Sequence, residues 1–264
     1  MQVQPTSTIQ FDPALNFARQ SLYRFAALSL LDPQAGSWEQ LNALQEDQLL
    51  AEAAEIIRAL PKAKPDSLGM GERGIEHLQP AAVLDKMPPS ASELNAEYER
   101  TFGLLVANGC PPYETEYING KFTFQRSNAL ADVSGFYRAF GVLPSAQRPE
   151  RHDHIVLELE FMAFLVGLER QAAEAATSEQ EERLEVCSAA QERFCREHLA
   201  WWVPAFAKLL GKEYPSGFYA AIGVFLSAWI PAERAMLGIE VSNTPVAPTA
   251  NEVPEECEGC GLST

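Results

Sequence analysis

Ionisable side chains crowd most densely in the stretch RPERHDHIVLELEFMAFLVGLE, Arg148 to Glu169, where His152, Asp153, His154 and Glu158 run straight into an apolar segment. His154 and Glu158 stand four residues apart and so share one helical face, which Phe161, Met162 and Leu165 continue. Two bland chemistries suit this pattern: Asp153 capping the helix that follows, and His154 hydrogen-bonding Glu158. A sharper one is metal ligation by His152, His154 and Glu158. A zinc enzyme needs three ligands and an open position, but H-x-H-x3-E is no signature, so no metal site and no catalytic residue is assigned.

A second chemical segment is CPPYETEY, Cys110 to Tyr117. Consecutive prolines forbid helix and hold the chain extended, so Tyr113, Glu114, Glu116 and Tyr117 are displayed from a stiff loop. Such tyrosines either cover a core or take part in recognition. Together the two segments put Glu114, Glu116, Asp153 and Glu158 beside Phe161 and Met162. Carboxylates beside apolar side chains suit a cationic partner.

The elements that position these residues are helical by pattern. Asp12-Pro13 reads as a cap and first-turn proline for a helix to about Leu31, and Asp32-Pro33 stops it. Ser37 with Gln40 reads as a capping box for a second helix ending by Pro61. From Pro61 to Pro89 the Pro and Gly residues predict an irregular connection with a short helix near Ile75 to Leu78. Ser90 with Glu93 is another capping box, and a further helix spans Asn128 to Phe140 and closes on Gly141. The helix after Asp153 is apolar almost all round and hence buried. Ser178 with Glu181 marks a restart, Phe194, His198, Trp201 and Trp202 follow at roughly helical spacing to Pro204, and Ser216 to Ile239 forms a last helix kinked at Pro231. Lys121 to Phe124 is the only strand-like tetrad. The fold class is all-α, a single domain of eight to ten helices over residues 12–240, with a flexible N-terminus at 1–11.

Composition narrows function. In 264 residues there are 36 acidic and 20 basic side chains, a formal charge of -16, which repels nucleic acid and anionic membranes and favours a cationic partner. The N-terminus lacks a basic region followed by an apolar one, and the run Ala220 to Ile230 is too short to span a bilayer, so a cytoplasmic location without stable membrane insertion is expected. No phosphate-binding glycine loop, nucleophile elbow or Cys-His spacing marks an enzyme. Residues 241–264 read as a disordered acidic tail whose Cys257 and Cys260 supply only two of four zinc ligands. That pair keeps a metal- or cofactor-carrier as an alternative, alongside a small helical enzyme.

The two chemical segments, with the intervening DVSGFYRAFG, resemble the TorD/DmsD/NarJ family of cytoplasmic chaperones for molybdenum oxidoreductases. The family's Tyr-x2-Leu/Phe-Phe helix corresponds to Tyr98 to Phe102, and its proline-rich loop to Pro111 to Tyr117. Its Phe-Tyr-x-x-Phe-Gly segment is Phe136 to Gly141, and its acidic-His motif with apolar helix is Arg148 to Met162. His198 to Pro204 and Phe218-Tyr219 extend the likeness, which covers about residues 12 to 238. The chain departs in having Thr115 where Ser is usual, and Arg151-His152 where Pro-Glu often precedes Asp-His. The resemblance implies a TorD-like fold and a non-enzymatic chaperone without cofactor of its own. It would bind the twin-arginine signal peptide and apo form of a DMSO reductase family catalytic subunit, assisting cofactor insertion before export, with molybdenum-cofactor biosynthesis proteins as further partners. Asp153 and His154 match the family's peptide-binding positions, and Tyr113, Glu114, Glu116, Tyr117 and Glu158 join them as candidates. The chain has no Arg-Arg pair, which suits a reader of such signals.

Deleting residues 241–264 is expected to leave the melting temperature of the helical domain nearly unchanged in a thermal scan. A loss of several degrees would place the tail on the core.

Overall fold

The computed structural model describes residues 11–103, 109–118, 123–147, 149–175, 178–212 and 214–241. Of the predicted terminal segments only Phe11 and Val241 fall within these ranges; Arg148, Asn119 to Phe122, Cys257 and Cys260 lie outside the described residues.

Among the described residues ten α-helices follow one another: α1 Pro13–Leu30, α2 Ser37–Leu44, α3 Leu49–Ala59, α4 Pro80–Leu84, α5 Ala91–Phe102, α6 Thr123–Ala139, α7 Ile155–Glu174, α8 Gln180–Phe194, α9 Val203–Leu210 and α10 Phe218–Met236. Among the described residues there is no strand, and the domain is all-α, as the sequence predicts. None of the described helices is long and apolar enough to cross a membrane.

The apolar helix α7 lies against α1 and α8, α1 also packs on α3, and α9 lies along α10. Close approach of α1 to α7 rests on Gly167: a Cβ there would stand 2.5 Å from the Gln20 amide nitrogen. Gln20 Nε2 and Asn16 Nδ2 donate to the backbone carbonyls of Ala163 and Val166 at 3.0 and 2.9 Å, so polar side chains of α1 are spent on α7. Trp202, Trp229, Tyr23, Phe206 and Phe225 are wholly buried between these layers.

Through this core runs one ionic node. Arg19 of α1 directs Nε to both carboxylate oxygens of Glu233 on α10 at 3.2 and 3.0 Å, while its Nη2 meets Gln191 of α8 at 2.7 Å and Glu233 again. Glu169 of α7 stands 3.7 Å from Nη1. Four helices are thereby tied to one guanidinium, whose planar fork suits several acceptors at once. The irregular 61–79 connection is pinned likewise: Arg234 of α10 holds Glu72 at 2.9 Å and the Ser67 carbonyl at 3.1 Å.

Helix ends follow the sequence at some positions and not at others. Asp12 Oδ1 accepts from Ala14 and Leu15, and Ser90 Oγ accepts from Glu93, as their spacing predicts. Gly141, at φ 71°, closes α6. Ser37 does not cap: Gly36, at φ 82°, precedes the helix, and the Ser37 hydroxyl turns to the Leu31 carbonyl. The helix expected to reach Pro61 is two, broken between Leu44 and Leu49, where Asp47 accepts from Leu49 N. Ser178 forms no capping box either, since α8 starts after Glu179 without a side-chain cap. Thr123 and Phe124, read as strand-like, open α6. An isolated tetrad has no partner strand to satisfy its backbone, whereas a helix closes its own hydrogen bonds.

Arg19→Ala strips Glu233 of its buried partner and is expected to lower unfolding stability by about 3–5 kcal/mol, read by urea denaturation. Adding Glu233→Met should recover part of that loss, because the pair rather than its burial is what the single variant breaks.

Candidate functional site

The proline loop and the head of α7 lie side by side. Glu114 N donates to the Asp153 carbonyl at 2.9 Å and Ile155 N to the Pro112 carbonyl at 2.9 Å, and Tyr113 and His154 form an isolated antiparallel bridge. Thus the two segments singled out by composition are one structural unit.

Within it Asp153 is wholly buried and does not cap α7. Its carboxylate accepts from Thr115 N at 3.1 Å and Thr115 Oγ1 at 2.7 Å, and from Arg151 Nε and Nη2 at 3.0 and 2.8 Å. With Asp153 committed to the loop, the cap passes to His154, whose Nδ1 accepts from Val156 N at 3.2 Å. That role requires a neutral ring with its proton on Nε2, and burial lowers the His154 pKa in the same sense. His154 and Glu158 are joined by a backbone hydrogen bond, not through their side chains.

Glu114, Tyr117 and Glu158 point inward. Glu114 accepts from Trp201 Nε1 at 3.1 Å and sits 3.2 Å from His198 Nδ1. Tyr117 donates to the Pro111 carbonyl at 3.0 Å with its ring against Trp202. Glu158 accepts from Trp202 Nε1 at 3.2 Å, and its other oxygen is buried without a hydrogen-bond partner. Burial first, then the nearby Glu114 and Asp153, push the Glu158 carboxyl well above the usual carboxylate range. Phe194, His198 and Trp202 keep their roughly helical spacing through a π-turn, Cys195–Leu199, and all three are buried, with the Phe194 and His198 rings 5.0 Å apart.

Tyr113 and Glu116 face outward. Tyr113 is half-buried; its hydroxyl donates to Glu150 at 3.3 Å, and burial followed by Glu150 moves its pKa up to about 12. Glu116 pairs with Arg151 at 3.3 Å and Arg126 at 3.6 Å.

Beside this unit opens a groove of about 830 Å³ between the end of α1, α5, the turn after α6, and α7. Its apolar wall includes Tyr98, Tyr137, Val142, Leu157, Phe161 and Phe164, and Leu143 stands 71% exposed at its rim. Three carboxylates line it, Asp32, Glu150 and Glu160. Burial raises the Glu160 pKa above its ordinary value. Of the predicted residues, His154 and Phe161 reach the groove, while Met162 lies inside the core.

His152, His154 and Glu158 do not converge on a metal position: His152 Nδ1 contacts Ser134 Oγ, and the other two are engaged as above. A different trio, Asp132, Glu197 and His198, brings ligand atoms within 4.8 Å of one another. Arg193 adjoins both carboxylates, 2.9 Å from Glu197 and 3.9 Å from Asp132, and places a positive charge beside them.

A family model described as nitrate reductase delta subunit matches residues 70–208, which contain the loop, α6, α7 and the π-turn. The chain is 31% identical over 208 residues to the perchlorate reductase assembly chaperone protein of Dechloromonas aromatica, covering 78% of this chain and 84% of that one. It is 29% identical over 148 residues to the chaperone protein TorD of Aliivibrio salmonicida, covering 56% of this chain and 66% of the relative. With TorD of Vibrio atlanticus the figures are 27% over 180 residues, 65% and 80%. The match to the Aliivibrio salmonicida protein spans just under two thirds of that relative's length.

A carboxyl with a raised folded pKa binds its proton more tightly in the fold. Its stabilising contribution is complete below the ordinary carboxylate range and is lost as pH rises through the raised value. Glu158→Gln keeps an acceptor for Trp202 but cannot ionise, so it is expected to match the wild type near pH 5 and to exceed it by about 1–3 kcal/mol near pH 9. Urea melts at both pH values check this; a constant difference would assign Glu158 no proton linkage.

Proposed function

The chain belongs to the nitrate reductase delta subunit family, which includes the TorD chaperones, and on that premise we propose that it is a maturation chaperone for a molybdenum oxidoreductase. It binds the twin-arginine signal peptide of an apo catalytic subunit of the DMSO reductase family in the cytoplasm, and holds that subunit until its pterin cofactor is inserted, before export. The observation that carries this reading is the apolar groove with Asp32, Glu150 and Glu160 on its walls.

A twin-arginine leader joins two guanidinium groups to an apolar helix. Its apolar face fits the wall of Leu157, Phe161 and Phe164, and its arginines fit the groove carboxylates, where partial desolvation strengthens charged hydrogen bonds. The chain's net charge of -16 speeds encounter with a cationic segment. The candidate residues then divide by role. Glu114, Tyr117 and Glu158 hold the loop in shape from below, whereas Tyr113 and Glu116 form the mouth where the arginines enter, with the buried Asp153 and His154 behind it.

Titration calorimetry with a synthetic twin-arginine leader tests the proposal. Glu150→Gln with Glu160→Gln is expected to weaken binding about tenfold, equivalent to ~1.4 kcal/mol. Glu182→Gln on the far part of α8 should leave it unchanged. Added salt should weaken wild-type affinity modestly, since groove-edge charges are screened while apolar burial is not. Affinity indifferent to salt and to the double substitution would remove the carboxylates from recognition.

A further inference from the structure

Arg151 holds an unusual position. Its guanidinium forks onto both oxygens of Asp153 at 3.0 and 2.8 Å and donates to Thr115 Oγ1 at 2.6 Å and Glu116 Oε1 at 3.3 Å. It also lies 4.2 Å above the centre of the Tyr113 ring. Bidentate carboxylate, further acceptors and an aromatic face are the full set of contacts by which proteins select arginine over lysine. We propose that Tyr113, Thr115, Glu116 and Asp153 form a receptor for an arginine side chain, which Arg151 occupies from within and which an arginine of the bound leader takes over.

Two features make this an exchangeable occupant rather than a structural strut. Every member of the cage keeps another partner without it: Asp153 retains Thr115 N and Oγ1, Glu116 retains Arg126, and Tyr113 retains Glu150. The cage is therefore preformed. Arg151 itself is 41% exposed in its side chain, and it belongs to the short segment before α7, so it can swing outward without disturbing a helix. An incoming guanidinium then replaces its contacts one for one.

The cage also communicates with the groove. Glu150 and His154 line the groove, Glu150 accepts the Tyr113 hydroxyl, and the His154 ring meets Tyr113 edge-on at 5.2 Å. A tethered occupant has a high effective concentration, so an isolated arginine competes poorly. An arginine on a peptide whose apolar segment fills the groove competes well. Arg151 thus makes recognition demand both halves of the leader, a device for specificity that disfavours merely cationic peptides.

The inference rests on the leader-binding reading for its biological ligand, but the cage can be probed without a leader. Calorimetry with an Arg-Arg leader and its Lys-Lys counterpart is run on wild type, Arg151→Ala and Arg151→Lys, each checked by circular dichroism. Arg151→Ala is expected to bind the Arg-Arg peptide at least about fivefold more tightly than wild type, with Lys-Lys binding unchanged. Arg151→Lys, which keeps the charge and folds even if Arg151→Ala does not, should fall between them. Separately, millimolar N-acetyl-argininamide should raise the melting temperature of both variants above that of buffer alone, and N-acetyl-lysinamide should not. Unchanged or weaker Arg-Arg binding in both variants, or equal response to the two amides, overturns the receptor. Selective stabilisation by the arginine amide with no leader binding by any variant would keep the receptor and refute the leader reading.

Discussion

Asp153 is a carboxylate with no exposed surface, and the local architecture depends on how its oxygens are satisfied. A buried charge without hydrogen bonds costs several kcal/mol, so its acceptors dictate where Thr115 and Arg151 must lie. Thr115 fixes the proline loop, and the loop fixes Tyr113, Glu114 and Tyr117 in turn. The Asp153 carbonyl, accepting from Glu114 N, ties the loop to the segment entering α7. Because α7 is the helix on which α1 and α8 pack, the same carboxylate sets the groove wall of Leu157, Phe161 and Phe164 relative to the loop.

Below this junction the polar groups are closed off from solvent, and above it they are open. Glu114, Glu158, His198 and the two tryptophans form a largely buried network in which Glu114 accepts from Trp201 and Glu158 from Trp202, while burial pushes the Glu158 carboxyl up. Tyr113, Glu116, Glu150 and Arg151 make the half-exposed counterpart, where ion pairs are weak and exchangeable. A buried base under an exchangeable rim suits a protein whose ligand brings its own charges and must be released later.

Much of this was legible in the sequence, for identifiable reasons. The all-α class, the caps at Asp12 and Ser90 and the glycine stop at Gly141 are local features, and local hydrogen bonds decide them. The likeness that pointed to the loop and α7 head also brought together segments separated by some forty residues. What stayed hidden was long-range. Asp153 looked like a cap because its sequence position is right; only the loop, arriving from elsewhere, claims its oxygens. Arg151 pairs with Asp153 because a turn, closed by the His154 N–H on the Arg151 carbonyl, folds the segment back on itself, and the residue types alone do not announce it. Asp32, Glu150 and Glu160 converge from three separate segments, a juxtaposition no spacing encodes.

The central claim is that the groove between α1, α5 and α7, with the mouth at Tyr113 to Glu116, is where a twin-arginine leader lies. Hydrogen-deuterium exchange of the full chain, with and without saturating leader peptide, tests it most directly, because backbone protection reports where the peptide sits regardless of which side chains carry affinity. The account predicts slowed exchange at Gln34 and Ala35, at Val142 to Ser145 excluding Pro144, and from Glu150 to Leu157, with none around the separate cleft near His77 and Lys86. Protection confined to that second cleft, or to the surface of α8, would contradict it.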